Sequence, residues 1–86
     1  MADGELQCNV LFFAGAAEAV GCREIQLTIP IGTTARDAFD IIARDHEQFT
    51  SFKDCCAVAI NLQICSIDTV LQEGCTLAFL PPVSGG

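Results

Sequence analysis

The sequence predicts an α+β domain, one sheet with a single main helix packed on one face. Three observations carry that reading. Apolar, β-forming runs stand near both ends, at residues 6–14 and 75–80, with another at 55–61. Residues 22–30 alternate, with Ile25, Leu27 and Ile29 on one side and Glu24, Gln26 and Thr28 on the other. That is the period of a half-exposed strand. Only one stretch, TTARDAFDIIARDH at 33–46, carries a long helical stripe.

The elements follow in chain order. LQCNVLFFA at 6–14 is a mostly buried strand. GAAEAVG at 15–21 suits a short helical turn stopped by Gly21. The alternating strand comes next, antiparallel to the first, and Pro30 and Gly32 end it. In the main helix Thr34 caps, with Asp37 three residues on in a capping-box arrangement. Ala35, Ala38, Phe39, Ile42 and Ala43 form its apolar stripe. Asp40 and Arg44 stand four apart, a spacing that allows an ion pair. Residues 46–54 connect, anchored by Phe49 and Phe52. CCAVAIN at 55–61 is a buried strand, and LQICSI at 62–67 a shorter, weaker one. Asp68 can cap a turn through TVLQEG before the last strand, CTLAFL, at 75–80. If the first and last strands pair as central neighbours, this β-β-α-β-(β)-β order is a ubiquitin-like β-grasp with a mixed sheet. Strand order alone leaves that open. The domain is expected to span 1–80, with an extended tail at 81–86.

Composition narrows the partners. Eleven acids stand against four bases, Arg23, Arg36, Arg44 and Lys53, giving a net charge of −7. Nucleic acid and anionic membrane surfaces need clustered cations, so both are disfavoured. A cationic protein partner is favoured, because opposite fields speed encounter. The polar, acidic start MADGELQ does not fit a leader peptide, and the apolar run at 10–17 is too short to span a membrane. The reading is a cytoplasmic protein.

The six cysteines, Cys8, Cys22, Cys55, Cys56, Cys65 and Cys75, include no C-x-x-C pair, and His46 has no partner at ligand spacing. No metal site is expected. In a reducing compartment the thiols read as small hydrophobes or solvent-side passengers without disulfides. No phosphate-binding glycine loop or nucleophile–base set is written, so the chain is not expected to be an enzyme by itself.

The ending LPPVSGG is where chemistry concentrates. Pro81 and Pro82 fix φ and send the chain out extended. With Val83, Ser84, Gly85 and Gly86 they reach at most about 20 Å. Gly85 and Gly86 fit a channel too narrow for any side chain. The Gly86 carboxylate is unhindered. ATP can turn it into an acyl-adenylate, and a sulfur nucleophile then gives a thiocarboxylate, or a lysine amine an amide. This pattern implies a carrier or a tag loaded by a separate enzyme. A −7 charge and a short tail further imply a basic pocket for the tail, with an apolar patch on the sheet docking beside it.

From about Asn9 onward the chain resembles the small, sulfur-carrier subunits of molybdopterin synthase. The residues that carry the likeness are VLFFA with AEAVG behind it, TTARDAFDIIA, AVAIN and LQEGCTLAFLPPVSGG. The resemblance implies a β-grasp whose thiocarboxylate sits on Gly86. It implies adenylation by an ATP-dependent activating enzyme, and sulfur donation to a cyclic pterin precursor to make the molybdopterin dithiolene. The active site would belong to a large subunit, in a heterotetramer of two small and two large chains. A bare Gly-Gly end also fits a ubiquitin-like modifier, or a sulfur carrier for thiamine or tRNA thiolation. Two positions depart from the family pattern: Ala17 before Glu18, where a basic residue is common, and Cys75 after Gly74, where Asp is common.

Overall fold

A computed structural model describes residues 4–82. The elements are β1 (Glu5–Phe12), α1 (Ala14–Val20), β2 (Glu24–Pro30), α2 (Ala35–Asp45), a 3-10 helix (Glu47–Phe52), β3 (Ala57–Ile60), β4 (Gln63–Cys65) and β5 (Thr76–Leu80). The five strands form one sheet in the order β2-β1-β5-β3-β4. β1 and β5 lie parallel at its centre, and every other neighbouring pair is antiparallel. That central parallel pair is the β-grasp arrangement that strand order had left open.

Local chemistry explains the elements. Gly21 closes α1 at φ 90°, its N–H bonding the Ala17 carbonyl at 2.8 Å. A residue with a Cβ would resist that left-handed turn. At the start of α2 the capping box forms as the sequence predicts. The Asp37 N–H donates to Thr34 Oγ1 at 3.1 Å, and the Thr34 N–H donates to Asp37 Oδ2 at 3.2 Å. The next free helix donors are met from the loop after β4: Ala35 N–H reaches the Thr69 carbonyl and Arg36 N–H that of Ile67.

The core lies between the sheet and the helices. Leu6, Cys8, Val10 and Phe12 alternate inward along β1, and Leu77 and Phe79 do so along β5. Ala35, Ala38, Phe39 and Ile42 meet them from α2, with Ala43 packed at the margin. Four of the six phenylalanines form the centre. Phe39 stacks on Phe49 at 4.2 Å, and Phe79 meets both edge-on at 5.4 and 5.6 Å. Phe12 approaches Phe49 edge-on at 5.5 Å. Such pairs add about 0.5–1.5 kcal/mol each beyond area burial. Phe52 packs half-buried beside them, so both expected anchors of the 46–54 connection reach the core.

Three expectations need correction. Asp40 pairs with Lys53 at 3.0 Å, not with Arg44, because the 3-10 helix folds back on α2 and brings Lys53 alongside. Asp68 caps no turn. Its carboxylate accepts from Arg36 Nε at 3.0 Å, and its own N–H donates to Ser66 Oγ. The third strand starts at Ala57, not Cys55, because the N–H groups of Cys55 and Cys56 both turn back to the Phe52 carbonyl and close the 3-10 helix. Among the described residues no helix is long and apolar enough to cross a membrane.

Candidate functional site

β5 delivers the chain to the tail from a fixed point. It is a central strand, held by β1 on one side and β3 on the other. Its last residue, Leu80, still pairs with Ala57. Pro81 follows half-buried and Pro82 is exposed. Val83, Ser84, Gly85 and Gly86 lie outside the described residues.

On the face away from the helices, the β5-β3-β4 side of the sheet is apolar and bare, while β1 and β2 turn Glu5, Gln7, Glu24, Gln26 and Thr28 outward. One cross-strand row runs Glu24, Leu11, Ala78, Ala59, Ile64 over all five strands. The small Ala78 and Ala59 at its middle leave a shallow depression of about 210 Å³. Around it stand Leu11, Phe13, Leu62, Ile64, Thr76 and Leu80. None of these lining side chains titrates. Leu62 is 94% exposed, Ile64 69% and Phe13 46%. A contiguous exposed apolar patch of this kind marks an interaction surface. Leu80 lines it, so the face is continuous with the base of the tail.

Backbone strain borders the same face. Asn61 and Leu62 form the two-residue turn between the paired Ile60 and Gln63, and both have positive φ, 51° and 73°. Such tight hairpins favour Asn followed by Gly. Asn61 is at home there, and its turn is pinned to β5. The Thr76 N–H donates to Asn61 Oδ1 at 2.9 Å, and the Asn61 N–H donates to the Thr76 carbonyl at 2.9 Å. Leu62 is not at home. A Cβ in the left-handed region costs about 1–2 kcal/mol, and here it holds a large apolar side chain out in water. Among the described residues the other non-glycine at positive φ is Ala14, directly after Phe13, at 51°. Strain of this sort clusters at ligand clamps and interfaces.

A second groove, of about 420 Å³, adjoins the depression and shares Leu11 and Phe13 with it. Phe12, Ala14, Ala17, Arg23 and Glu24 complete its wall, so this groove has one cation and one anion at its rim. Ala17, one of the two departures from the family pattern, therefore lies on this surface. Cys75, the other, is buried on the opposite side of the sheet.

Sequence reasoning anticipated an apolar patch beside the tail but not its members. Phe13 reads as part of a buried strand, and Leu62 and Ile64 as a weak strand without a role. Two signals could have found them. Leu stands where an Asn-initiated hairpin favours Gly. The flanks of β1 and β5 are apolar at successive positions, where a sheet with one wet face would alternate.

The chain is similar to known proteins over nearly its whole length. The profile of the ThiS family matches residues 10–86. The molybdopterin synthase sulfur carrier subunit of Drosophila erecta is 35% identical, with 99% of this chain and 98% of that protein covered. Among solved structures, a Pyrococcus furiosus protein described as molybdopterin converting factor, subunit 1 superposes with TM-score 0.79 at 26% identity. It covers 91% of this chain and 99% of its own. SAMP1 from Haloferax volcanii superposes with TM-score 0.82 at 26% identity, covering 93% and 99%.

Proposed function

The chain belongs to the ThiS family, among the molybdopterin synthase sulfur carrier subunits, and from that premise we propose that it carries sulfur on Gly86 for molybdopterin synthesis. The observation that carries this reading is the bare apolar sheet face running into Leu80 and Pro81 at the base of the tail. A carrier needs a docking surface beside a thin, reactive end. The family match extending through residue 86 supports the same assignment.

The chemistry divides between this chain and its partners. The Gly86 carboxylate attacks ATP on a separate activating enzyme, releasing pyrophosphate and forming an acyl-adenylate. A sulfur nucleophile displaces AMP and leaves a thiocarboxylate. The loaded tail then enters a pocket on a large subunit, where the pterin precursor receives the sulfur. That subunit supplies the catalytic groups, and two small and two large chains assemble in the cytoplasm. Gly85 and Gly86 pass a narrow channel. Pro81 and Pro82 reduce the cost of ordering the tail, which is about 1–2 kcal/mol per residue for backbone. Most of the affinity comes from Phe13, Leu62, Ile64 and their neighbours, and the acidic chain meets a cationic rim.

Intact-mass spectrometry tests the reading. The full chain is incubated with the activating enzyme, ATP and a sulfur source. Exchange of one oxygen for sulfur, mapped to Gly86, is the expected result. A branched peptide joining Gly86 to another protein's lysine would instead make the chain a modifier. Deleting Gly86 should abolish sulfur transfer and leave the circular dichroism spectrum unchanged.

A further inference from the structure

The two buried thiols lie apart from the apolar outer face and from the tail. Cys8 lies on β1 and Cys75 immediately precedes β5; each is 2% exposed, and their Sγ atoms are 3.2 Å apart. The backbone fixes this meeting from both sides. The Gly74 N–H donates to the Gln7 carbonyl at 2.8 Å, and the Asn9 N–H donates to the Cys75 carbonyl at 2.9 Å. Cys8 and Cys75 thus stand one step before the first registered pair of the parallel ladder, Asn9 with Thr76. Neighbouring strands lie about 4.8 Å apart. That falls within the Cα separation of about 4.4–6.8 Å that a disulfide requires. The sulfurs need approach by only about 1 Å to reach bonding distance, which side-chain rotation can supply. The other four thiols are exposed or half-buried.

We infer that Cys8 and Cys75 form a site for reversible disulfide closure by hydroperoxides, an oxidative lock across the β1–β5 seam. One sulfur attacks the peroxide and breaks its O–O bond, becoming a sulfenic acid and releasing water or an alcohol. The second thiol attacks that sulfur and expels its oxygen as water. The two sulfurs lose two electrons, the peroxide gains them, and both thiol protons end on the oxygen products. Burial first, and the neighbouring Cys75 second, push the Cys8 thiol up to about 12. Thiolate is therefore scarce, and closure is slow and follows local opening of the strand end. In a reducing compartment the pair stays open. The bond joins residues 67 apart in sequence, so it constrains the unfolded chain strongly. It lies on the helix side of the sheet, at the end of β5 remote from the tail.

The test treats the folded full-length chain with hydrogen peroxide, alkylates the remaining thiols, and maps peptides by mass spectrometry beside a thermal melt. A Cys8–Cys75 crosslink reversed by dithiothreitol is expected, with a melting midpoint raised by about 10–20 °C. Cys75→Ala should show neither the crosslink nor the rise. Should that variant fail to fold, the wild-type peptide map decides alone. The inference is overturned if Cys8 and Cys75 stay reduced while the exposed thiols oxidise. It is equally overturned if they stop at sulfinic acid, pair with other cysteines, or crosslink without raising the midpoint.

Discussion

On the β5-β3-β4 side of the sheet both faces carry apolar residues, and they differ in what covers them. Val10, Phe12, Val58, Leu77 and Phe79 point toward α2 and the 3-10 helix and are at most 2% exposed. Leu11, Ala59, Ala78 and Leu80 sit one residue away on the same strands and face outward, with Ile64 on β4 and Phe13 and Leu62 beside them. No element among the described residues covers them. On the inner face, aromatic packing closes the core and sets stability. The outer face contributes little to stability, and the backbone at its border bears strain at Leu62 and Ala14. An apolar residue is a stability device where the chain itself covers it. Where the chain does not, it is open to a partner, the role proposed for this face. Mutations on the two faces should therefore separate folding from docking.

The largest effect belongs to the covered face. Phe39→Ala removes a ring stacked at 4.2 Å on Phe49 and should destabilise by about 3–5 kcal/mol in denaturant titration. A cost under about 1 kcal/mol would mean that the aromatic cluster does not set stability. Alkali probes the same face next. Burial holds the thiols of Cys8 and Cys56 up at about 12 and about 11, against an ordinary value of 9.0. The folded values lie above the unfolded ones. Their contribution is therefore complete below about pH 9 and is lost as the pH climbs toward 11 and 12. Melting midpoints should hold to about pH 9 and fall beyond it, less steeply in Cys8→Ala. A profile unchanged by that substitution would remove Cys8 from the account.

The bare face should behave in the opposite way. Ile64→Asp should leave the melting midpoint nearly unchanged. It should weaken docking to the large subunit by about 2 kcal/mol, roughly thirtyfold, measured by calorimetry. Full affinity in this variant would move the docking surface elsewhere. The smallest and sharpest effect is at Leu62. Leu62→Gly relieves a side chain at φ 73° and should stabilise the fold by about 1 kcal/mol while weakening docking. Stability and binding would then change in opposite directions at one residue. Loss of both would show that Leu62 supports the domain itself.

Much of this was legible in the sequence, wherever the cause lies within a few residues. The capping box of Thr34 and Asp37 spans three positions, the stop at Gly21 is a property of one, and the stripe of α2 and the alternation of β2 repeat within a turn or a pleat. The acidic balance and the proline-glycine ending are composition. For the site, sequence marked Pro81 to Gly86 and foresaw an apolar patch. It did not identify Phe13, Leu62 or Ile64, because periodicity says which residues share a face but not whether anything covers it. Tertiary structure decided the rest. The parallel β1–β5 pairing joins strands from the two ends of the chain. The choice of Lys53 over Arg44 by Asp40, and of Arg36 by Asp68, depends on how loops fold back. The meeting of Cys8 with Cys75 is a register effect across 67 residues. Such contacts form only after long loops close, and the entropy of that closure is repaid by the core as a whole, which no local pattern encodes.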